Sequence, residues 1–232
     1  MSGFKQTVRQ MPVVSGVLAA RRNRAFGGSA AYWESRYAGG GTSGSGSTGR
    51  LARFKAGVLN EFVATNSVES VIELGCGDGN QLALAEYPRY LGLDVSRSTL
   101  ATCKQRFADD PTKSFVFSAP EVFADPAHFL TAELALSLDV VYHLVEDAVF
   151  EAHMAALFGA ATRFVAVYSS DHDEPAHGHV RHRAFSAWVT ANAPDWRPML
   201  TVANPYPFDP SAPEQTSFAD FHFFAKQQPN CD

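Results

Sequence analysis

The chain has 232 residues, of which 46% are hydrophobic, and this suits one α/β domain with extensions better than two full domains. A formal net charge of −5 argues against the basic surface of a nucleic-acid-binding protein. Three cysteines without CxxC spacing argue against a disulfide framework or a structural zinc site, and there is no apolar run long enough for a membrane span. We therefore expect a cytoplasmic protein.

The first part of the chain differs in composition from the rest. Residues 1–50 are expected to form a helical extension that ends in the glycine- and serine-rich segment 39–49. That segment is either a lid that closes over a site or a flexible loop without structure. Residues 51–232 are expected to form the main domain.

Short apolar strands then alternate with helices, which predicts an α/β fold with a doubly wound, mainly parallel sheet. The expected strands are 70–74, 90–94, 114–117, 134–141, 163–168, 199–203 and 217–225. The expected helices are 51–63, 81–86, 98–107, 146–158 and 185–191. No helix separates the last two strands, so the seven-stranded sheet should end in an antiparallel hairpin.

The clearest functional pattern is a glycine loop directly after the first strand, Glu-Leu-Gly-Cys-Gly-Asp-Gly-Asn over residues 73–80. Glycine has no Cβ and can take positive φ, so the backbone can turn sharply there and approach a ligand closely. The spacing fits neither the dinucleotide fingerprint G-x-G-x-x-G nor a P-loop. The second strand ends in Asp94, where a carboxylate can accept hydrogen bonds from both hydroxyls of a ribose.

The glycine loop and Leu93-Asp94-Val95-Ser96 together resemble the first two motifs of the class I S-adenosylmethionine-dependent methyltransferases. The order of elements over roughly residues 30–226 is also similar to theirs. The resemblance implies a Rossmann-like sheet, S-adenosylmethionine as cofactor and methyltransferase activity. It also implies a set of cofactor-binding residues in and after the strands: Glu73, Gly75, Cys76, Gly77, Asp78, Gly79, Asn80, Gln81, Asp94, Val95, Ser96, Ser118, Ala119 and Leu138.

The same resemblance extends to the segment 32–37 near the start of the chain. In many family members an aromatic residue and a cation of this region meet the carboxylate of the cofactor, and Trp33 and Arg36 would take these roles here. An aromatic helix that packs on the core is the alternative. Ser118 and Ala119 stand where the family often has an acidic residue beside adenine, so a backbone contact is expected instead.

Asp139 and His143 are the candidate catalytic residues, because the end of the fourth strand faces the methyl group in this family. A hydroxyl acceptor must lose a proton during methyl transfer, and histidine has a suitable unperturbed pKa for a general base. Asp139 would orient the base, receive a substrate hydroxyl or bind a metal. A structural role is the alternative for both residues.

The polar segment 169–183 contains four histidines and is expected to face the acceptor. The expected acceptor-binding residues are Tyr142, Tyr168, His179, Arg181 and His182. Histidine-rich tracts also bind metals, and His179 and His182 are spaced to share a helical face, but no clear third ligand joins them, so a polar lid that faces the acceptor is favoured. Asp139 and Asp171 follow strands four and five, where some sugar methyltransferases hold Mg²⁺, so Mg²⁺ is a second candidate cofactor.

We therefore predict transfer of a methyl group to a hydroxyl of a small polar acceptor, a sugar or oligosaccharide. The motifs are similar to those of small bacterial O-methyltransferases of polysaccharide pathways, and the acceptor side is rich in His, Arg and Asp. N-methylation of a small amine or peptide is one alternative, and a non-catalytic regulatory subunit that binds the cofactor is another. The expected partners are the acceptor and, in a homodimer, a second copy of the chain.

Overall fold

The computed structural model describes residues 27–119 and 122–227, so most of the expected N-terminal extension lies outside the described residues. The described helices are α1 (Ser29–Ala38), α2 (Gly49–Thr65), α3 (Arg97–Arg106), α4 (Asp147–Ala160) and α5 (Phe185–Asn192). The described strands are β1 (Val71–Leu74), β2 (Tyr90–Asp94), β3 (Lys113–Phe117), β4 (Ala132–Leu138), β5 (Ala161–Ser169), β6 (Trp196–Val202) and β7 (Asp220–Lys226). Among these residues, no helix combines the length and the apolar character that crossing a membrane requires.

The strands form one sheet in the order β3-β2-β1-β4-β5-β7-β6. Strands β1 to β5 pair in parallel, whereas β7 runs antiparallel to both β5 and β6. This confirms the predicted doubly wound sheet with an antiparallel C-terminal hairpin. The chain moves outward from β1 in one direction and then returns to place β4 on the other side of β1. Such a reversal opens a crevice at the carboxyl ends of β1 and β4.

Helices cover both faces of the sheet and bury its apolar side chains. On one face, Phe150 and Met154 of α4 pack with Ile72 of β1. On the other face, Phe62 of α2 stacks on Phe223 of β7 with ring centroids 4.3 Å apart. Burial on both faces explains why β1 reads as a continuous apolar run apart from Glu73.

Two predicted elements near the site are wrong in extent. Residues 81–86 form only a 3₁₀ turn at Leu82–Leu84, because Asn60 of α2 binds the carbonyl of Leu84 and the N–H of Glu86 and so ends the turn. The fourth strand covers Ala132–Leu138 rather than 134–141. Asp139 turns the chain with φ 58°, and a 3₁₀ turn follows at Val141–His143.

The C-terminal region differs from the prediction in a similar way. β6 begins at Trp196 rather than 199, and β7 begins at Asp220 rather than 217. His179 and His182 do not share a helical face, because the segment 171–184 is not helical. The segment instead folds back on itself through an isolated bridge between His177 and Val180.

Candidate functional site

A cavity of about 510 Å³ lies at the carboxyl ends of β1, β2 and β4, where the strand order reverses. Its walls come from α1, the glycine loop, the end of β2, residues 123–130, the end of β4 and α4. The predicted cofactor-binding residues that line it are Trp33, Glu73, Gly75, Cys76, Gly77, Gln81, Asp94, Val95, Ser118 and Leu138. The predicted catalytic residues Asp139 and His143 line the same cavity.

The glycine loop has the tight geometry that its sequence predicts. Gly75 and Gly77 have φ values of 89° and 58°, where a side chain is rarely tolerated. A Cβ on Gly75 would lie 2.5 Å from Val140, and one on Gly77 would collide with Ser43. The absence of side chains at these two positions therefore lets Val140, which follows β4, and Ser43 of segment 39–48 pack directly against the loop.

Asp94 anchors the loop from the end of β2. Its carboxylate accepts hydrogen bonds of 2.9 Å from the backbone N–H groups of Gly77 and Ser96. Burial raises the pKa of Asp94 to about 6, although the two hydrogen bonds from the backbone lower it in part. The group is thus mostly ionised at neutral pH, and it is a hydrogen-bond acceptor in the cavity wall.

Glu73 lies on β1 beneath the loop and accepts a 2.6 Å hydrogen bond from the hydroxyl of Tyr90. Burial raises the pKa of Glu73 to about 7. Gln81 donates from Nε2 to the carbonyl of Ala52, whereas its buried Oε1 has no hydrogen-bond partner within the described chain. Glu73 and Gln81 thus add two buried polar groups to the residues that line the cavity.

Several predicted cofactor residues lie outside the cavity lining: Arg36, Asp78, Gly79, Asn80, Ser96 and Ala119. Arg36 donates from Nε to the carbonyl of Thr42 at 2.7 Å, and its guanidinium lies 5.6 Å from the centre of the Trp33 ring. Asp78 accepts from the N–H of Asn80, and Ser96 caps α3. These side chains shape the loops around the cavity instead of its surface.

Asp139 forms an ion pair with Lys55 of α2, which sequence reasoning missed. Tyr142 also donates from its hydroxyl to Asp139 at 2.8 Å. The side chain of Lys55 is only 1% exposed, so the pair lies at the inner wall of the cavity. A signal existed in the sequence, because Lys55 interrupts the apolar stripe of α2 between Leu51 and Leu59.

His143 is held in one orientation. Its Nδ1 lies 3.0 Å from the carbonyl oxygen of His179, which can only accept, so Nδ1 carries the proton and Nε2 is the lone-pair nitrogen of the neutral ring. The ring stacks on the His179 ring at 5.1 Å and meets the Trp33 ring edge-on at 4.9 Å. Burial lowers the pKa of His143 to about 4, so the imidazole is neutral near pH 7.

The start of α1 is fastened beside His143 by a second group of contacts that the sequence did not indicate. Ser29 donates from its backbone N–H to Glu146 at 2.8 Å and from its hydroxyl to the carbonyl of His143 at 2.8 Å. Gly28, Ser29 and Glu146 line the cavity. The N-terminal segment is therefore part of the cavity wall.

The predicted acceptor-binding residues Tyr142, Tyr168, His179, Arg181 and His182 do not line the cavity. Tyr168 is buried in the core, and Arg181 forms a 2.9 Å ion pair with Asp147. His182 bonds to the hydroxyl of Ser170. The segment 169–184 thus supports the wall at His143 from outside.

The two carboxylates suggested for Mg²⁺ already have other partners. Lys55 neutralises Asp139, and the carboxylate of Asp171 accepts a 3.0 Å hydrogen bond from the N–H of Ser186 at the start of α5. Among the described residues, one cluster of possible metal ligands is found, His172, Glu174 and His182, and it contains neither Asp139 nor Asp171. The geometry therefore does not favour the Asp139–Asp171 metal site.

No protein-family model matches the sequence, and no curated protein is significantly similar to it. Solved structures do match the fold. The methyltransferase domain of bacterial CtHen1 is 20% identical, with a TM-score of 0.57 over 75% of this chain and 97% of that chain. The N-methyltransferase NodS from Bradyrhizobium japonicum WM9, in complex with S-adenosyl-L-homocysteine, is 16% identical, with a TM-score of 0.58 over 77% of this chain and 88% of that one.

Magnesium protoporphyrin IX methyltransferase (ChlM) from Synechocystis PCC 6803, with bound S-adenosylhomocysteine, is 12% identical, with a TM-score of 0.57 over 77% of this chain and 85% of that chain. The chain has the fold of class I methyltransferases. These similar proteins differ widely in what their names say they methylate. The methyltransferase fold therefore leaves the acceptor of this chain to be argued from its own residues.

Proposed function

We propose that the chain is an S-adenosylmethionine-dependent O-methyltransferase that acts on a hydroxyl of a small polar acceptor, with a sugar or oligosaccharide as the first candidate. One observation carries the proposal: a single cavity joins the glycine loop and Asp94 to Asp139 and His143. The proposed cofactor-binding and proton-accepting groups thus line one cavity at the switch point of a methyltransferase fold.

The volume and the polar groups of the cavity support binding of the cofactor there. Its volume of about 510 Å³ falls in the range of small-molecule sites, which is roughly 300–1,000 Å³. Asp94 would provide an acceptor for ribose hydroxyls, and the glycine loop that it anchors forms the adjoining part of the cavity wall.

When bound, S-adenosylmethionine supplies an electrophilic methyl group on a sulfonium. The residues of this chain would then position the acceptor and take up its proton. His143 is neutral near pH 7 and has its lone pair at Nε2, so it can accept a proton, and its lowered pKa of about 4 makes it a weaker base than an exposed imidazole. The carboxylate of Asp139, fixed by Lys55 and Tyr142, would accept a hydrogen bond from the acceptor hydroxyl.

Ligand binding is the first test, because a ligand that binds only the folded state raises the melting temperature. We expect S-adenosylmethionine and S-adenosylhomocysteine to raise Tm, and NAD to leave it unchanged. Asp94→Asn should weaken both effects, whereas His222→Gln, a histidine outside the cavity lining, should not. Stabilisation by NAD alone would refute the proposed cofactor.

Turnover is the second test, with transfer of a labelled methyl group to a panel of sugars, amines and peptides. His143→Gln should lower kcat by about 10²- to 10⁴-fold while the Kd for S-adenosylmethionine stays unchanged. Methylation of amines alone would favour the N-methyltransferase alternative. Cofactor binding without methylation of any acceptor would favour a regulatory subunit.

A further inference from the structure

The histidine-rich segment 169–184 brings together a group of metal-ligand atoms that the proposed reaction does not use. The segment forms two arms that lie side by side. The N–H of Glu174 donates to the carbonyl of His182, and the N–H of His177 donates to the carbonyl of Val180 at 2.8 Å. His172 and Glu174 stand on the first arm and His182 stands on the second.

The three side chains lie close to one another. His172, Glu174 and His182 each offer one ligand atom, and these atoms all lie within 4.8 Å of one another. Nε2 of His172 is 3.4 Å from a carboxylate oxygen of Glu174. The rings of His172 and His182 lie face to face, with centroids 4.7 Å apart. His172 and Glu174 are about half exposed, so an ion can reach them from solvent.

His182 is held in place from behind. Its Nδ1 lies 2.7 Å from the hydroxyl of the buried Ser170, and the ring meets that of Phe218 edge-on at 4.5 Å. A hydrogen bond at one ring nitrogen orients a histidine and leaves the other nitrogen free, as in the outer shell of metal sites. Ser170 therefore leaves Nε2 of His182 as its ligand atom.

We propose that His172, Glu174 and His182 bind one divalent transition-metal ion of the Zn²⁺ type. Two imidazoles and one carboxylate are a ligand set that Zn²⁺ accepts in proteins, with a further position left for water. Imidazole nitrogens favour Zn²⁺ over Mg²⁺, which prefers oxygen ligands. The ion links the two arms of the segment.

The metal site lies outside the cavity but supports its wall. None of the three ligand residues lines the cavity. The ring of His182 lies 6.4 Å from that of Tyr142, whose hydroxyl binds Asp139. The carbonyl of His179, between the two arms, accepts the hydrogen bond from His143. Metal binding therefore orders the segment that holds the proposed base.

The test uses the full chain, stripped of metal with a chelator and titrated with Co²⁺ as a visible probe and with Zn²⁺ in competition. We expect one equivalent to bind, with ligand-field bands of nitrogen and oxygen ligands. His172→Gln and Glu174→Gln should each weaken binding by at least about tenfold, and Ser170→Ala by about 10- to 100-fold. His177→Gln, a histidine of the same segment outside the group, is the matched control and should bind as the unaltered chain does.

Three outcomes would overturn the proposal. The first is no uptake of Co²⁺ or Zn²⁺. The second is a thiolate charge-transfer band, which would place the ion on cysteine. The third is equal binding by the His172→Gln and Glu174→Gln variants and the unaltered chain. All of these measurements are made without S-adenosylmethionine. A negative result would therefore refute the metal site without bearing on the proposed methyltransferase activity.

Discussion

Ser43 and Asp78 exchange two hydrogen bonds, each 3.0 Å long: the N–H of Ser43 donates to Asp78 Oδ2, and the N–H of Asp78 donates to Ser43 Oγ. The hydroxyl of Tyr37 lies 2.9 Å from the same Oγ. A Cβ on Gly46 would come within 2.8 Å of the Asp139 carboxylate, so this part of the segment lies against Asp139. Segment 39–48 therefore spans the cavity from the glycine loop to the proposed acceptor end.

This arrangement predicts that segment 39–48 acts as a lid over bound cofactor. Ser43→Ala removes the acceptor of the Asp78 N–H, and a net hydrogen bond contributes about 0.5–1.5 kcal/mol. We expect the Kd for S-adenosylmethionine to rise by about 2- to 10-fold and the amides of residues 43–47 to exchange faster with solvent. Calorimetry and hydrogen exchange measure these two effects.

Ser45→Ala is the matched control for the lid. Its hydroxyl makes no hydrogen bond within residues 27–119 and 122–227, although it lies in the same segment. The variant should bind the cofactor as the unaltered chain does. If Ser43→Ala and Ser45→Ala have the same Kd, the hydrogen bonds at Asp78 do not control access to the cavity.

Asp94 predicts a pH dependence of cofactor binding. Its folded pKa of about 6 means that the carboxylate is ionised above pH 6 and protonated below it. Because the charged form is the stronger acceptor for ribose hydroxyls, Kd should rise by up to about tenfold per pH unit below 6. Asp94→Asn should bind weakly at every pH and show no such slope. His143 does not titrate in this window, since burial lowers its pKa to about 4. A flat Kd for the unaltered chain between about pH 5 and pH 8 would contradict the prediction.

Glu73 predicts a pH dependence of stability. Its pKa rises from an ordinary 4.5 to about 7 on folding, mainly through burial. The folded state therefore binds more protons than the unfolded state between these values, and stability falls as pH rises through them.

Glu73→Gln resembles the protonated carboxyl and keeps an acceptor for the hydroxyl of Tyr90. The free energy of unfolding of the variant, relative to the unaltered chain, should increase from low to neutral pH by on the order of 3 kcal/mol. Urea unfolding at several pH values measures this difference, and a difference that does not change with pH would contradict the prediction.

Much of the fold follows from local sequence patterns. The strand Tyr90–Asp94 has its predicted bounds, and the antiparallel hairpin was indicated by two strand patterns without a helix between them. The glycine loop is readable for the same reason, since the positive φ of Gly75 and Gly77 requires that residue type. Where the local backbone conformation restricts the residue type, that conformation can be predicted from the sequence.

Several contacts around the cavity are not visible in residue identity. Arg36 binds the carbonyl of Thr42 in its own loop, and its predicted role at the cofactor stays a prediction. His179 was expected to contact the acceptor, but its backbone carbonyl orients His143. Every residue has a backbone carbonyl, so a hydrogen bond to one cannot be predicted from the residue type. The Lys55–Asp139 ion pair spans 84 positions, and only the interrupted apolar stripe of α2 indicates it.

That ion pair gives the last prediction, on stability. Lys55→Met leaves Asp139 with only the hydroxyl of Tyr142, and breaking one side of a buried pair costs about 3–5 kcal/mol. Asp139→Asn keeps a residue that tolerates the positive φ of 58° but removes the ion-pair partner of the buried Lys55 ammonium, which then interacts with the carboxyl of Glu73. The double variant removes both charges, so it should be less destabilised than the sum of the two single variants, by about 0.5–3 kcal/mol.

Urea unfolding of the four proteins in this double-mutant cycle measures the coupling energy. Ser137→Ala on the same strand is a control for effects of substitution near the end of β4, because its hydroxyl bonds to His153 rather than to Lys55 or Asp139. Combined with Lys55→Met, it should give additive losses. Additive losses for Lys55→Met and Asp139→Asn as well would mean that the two charges do not stabilise each other.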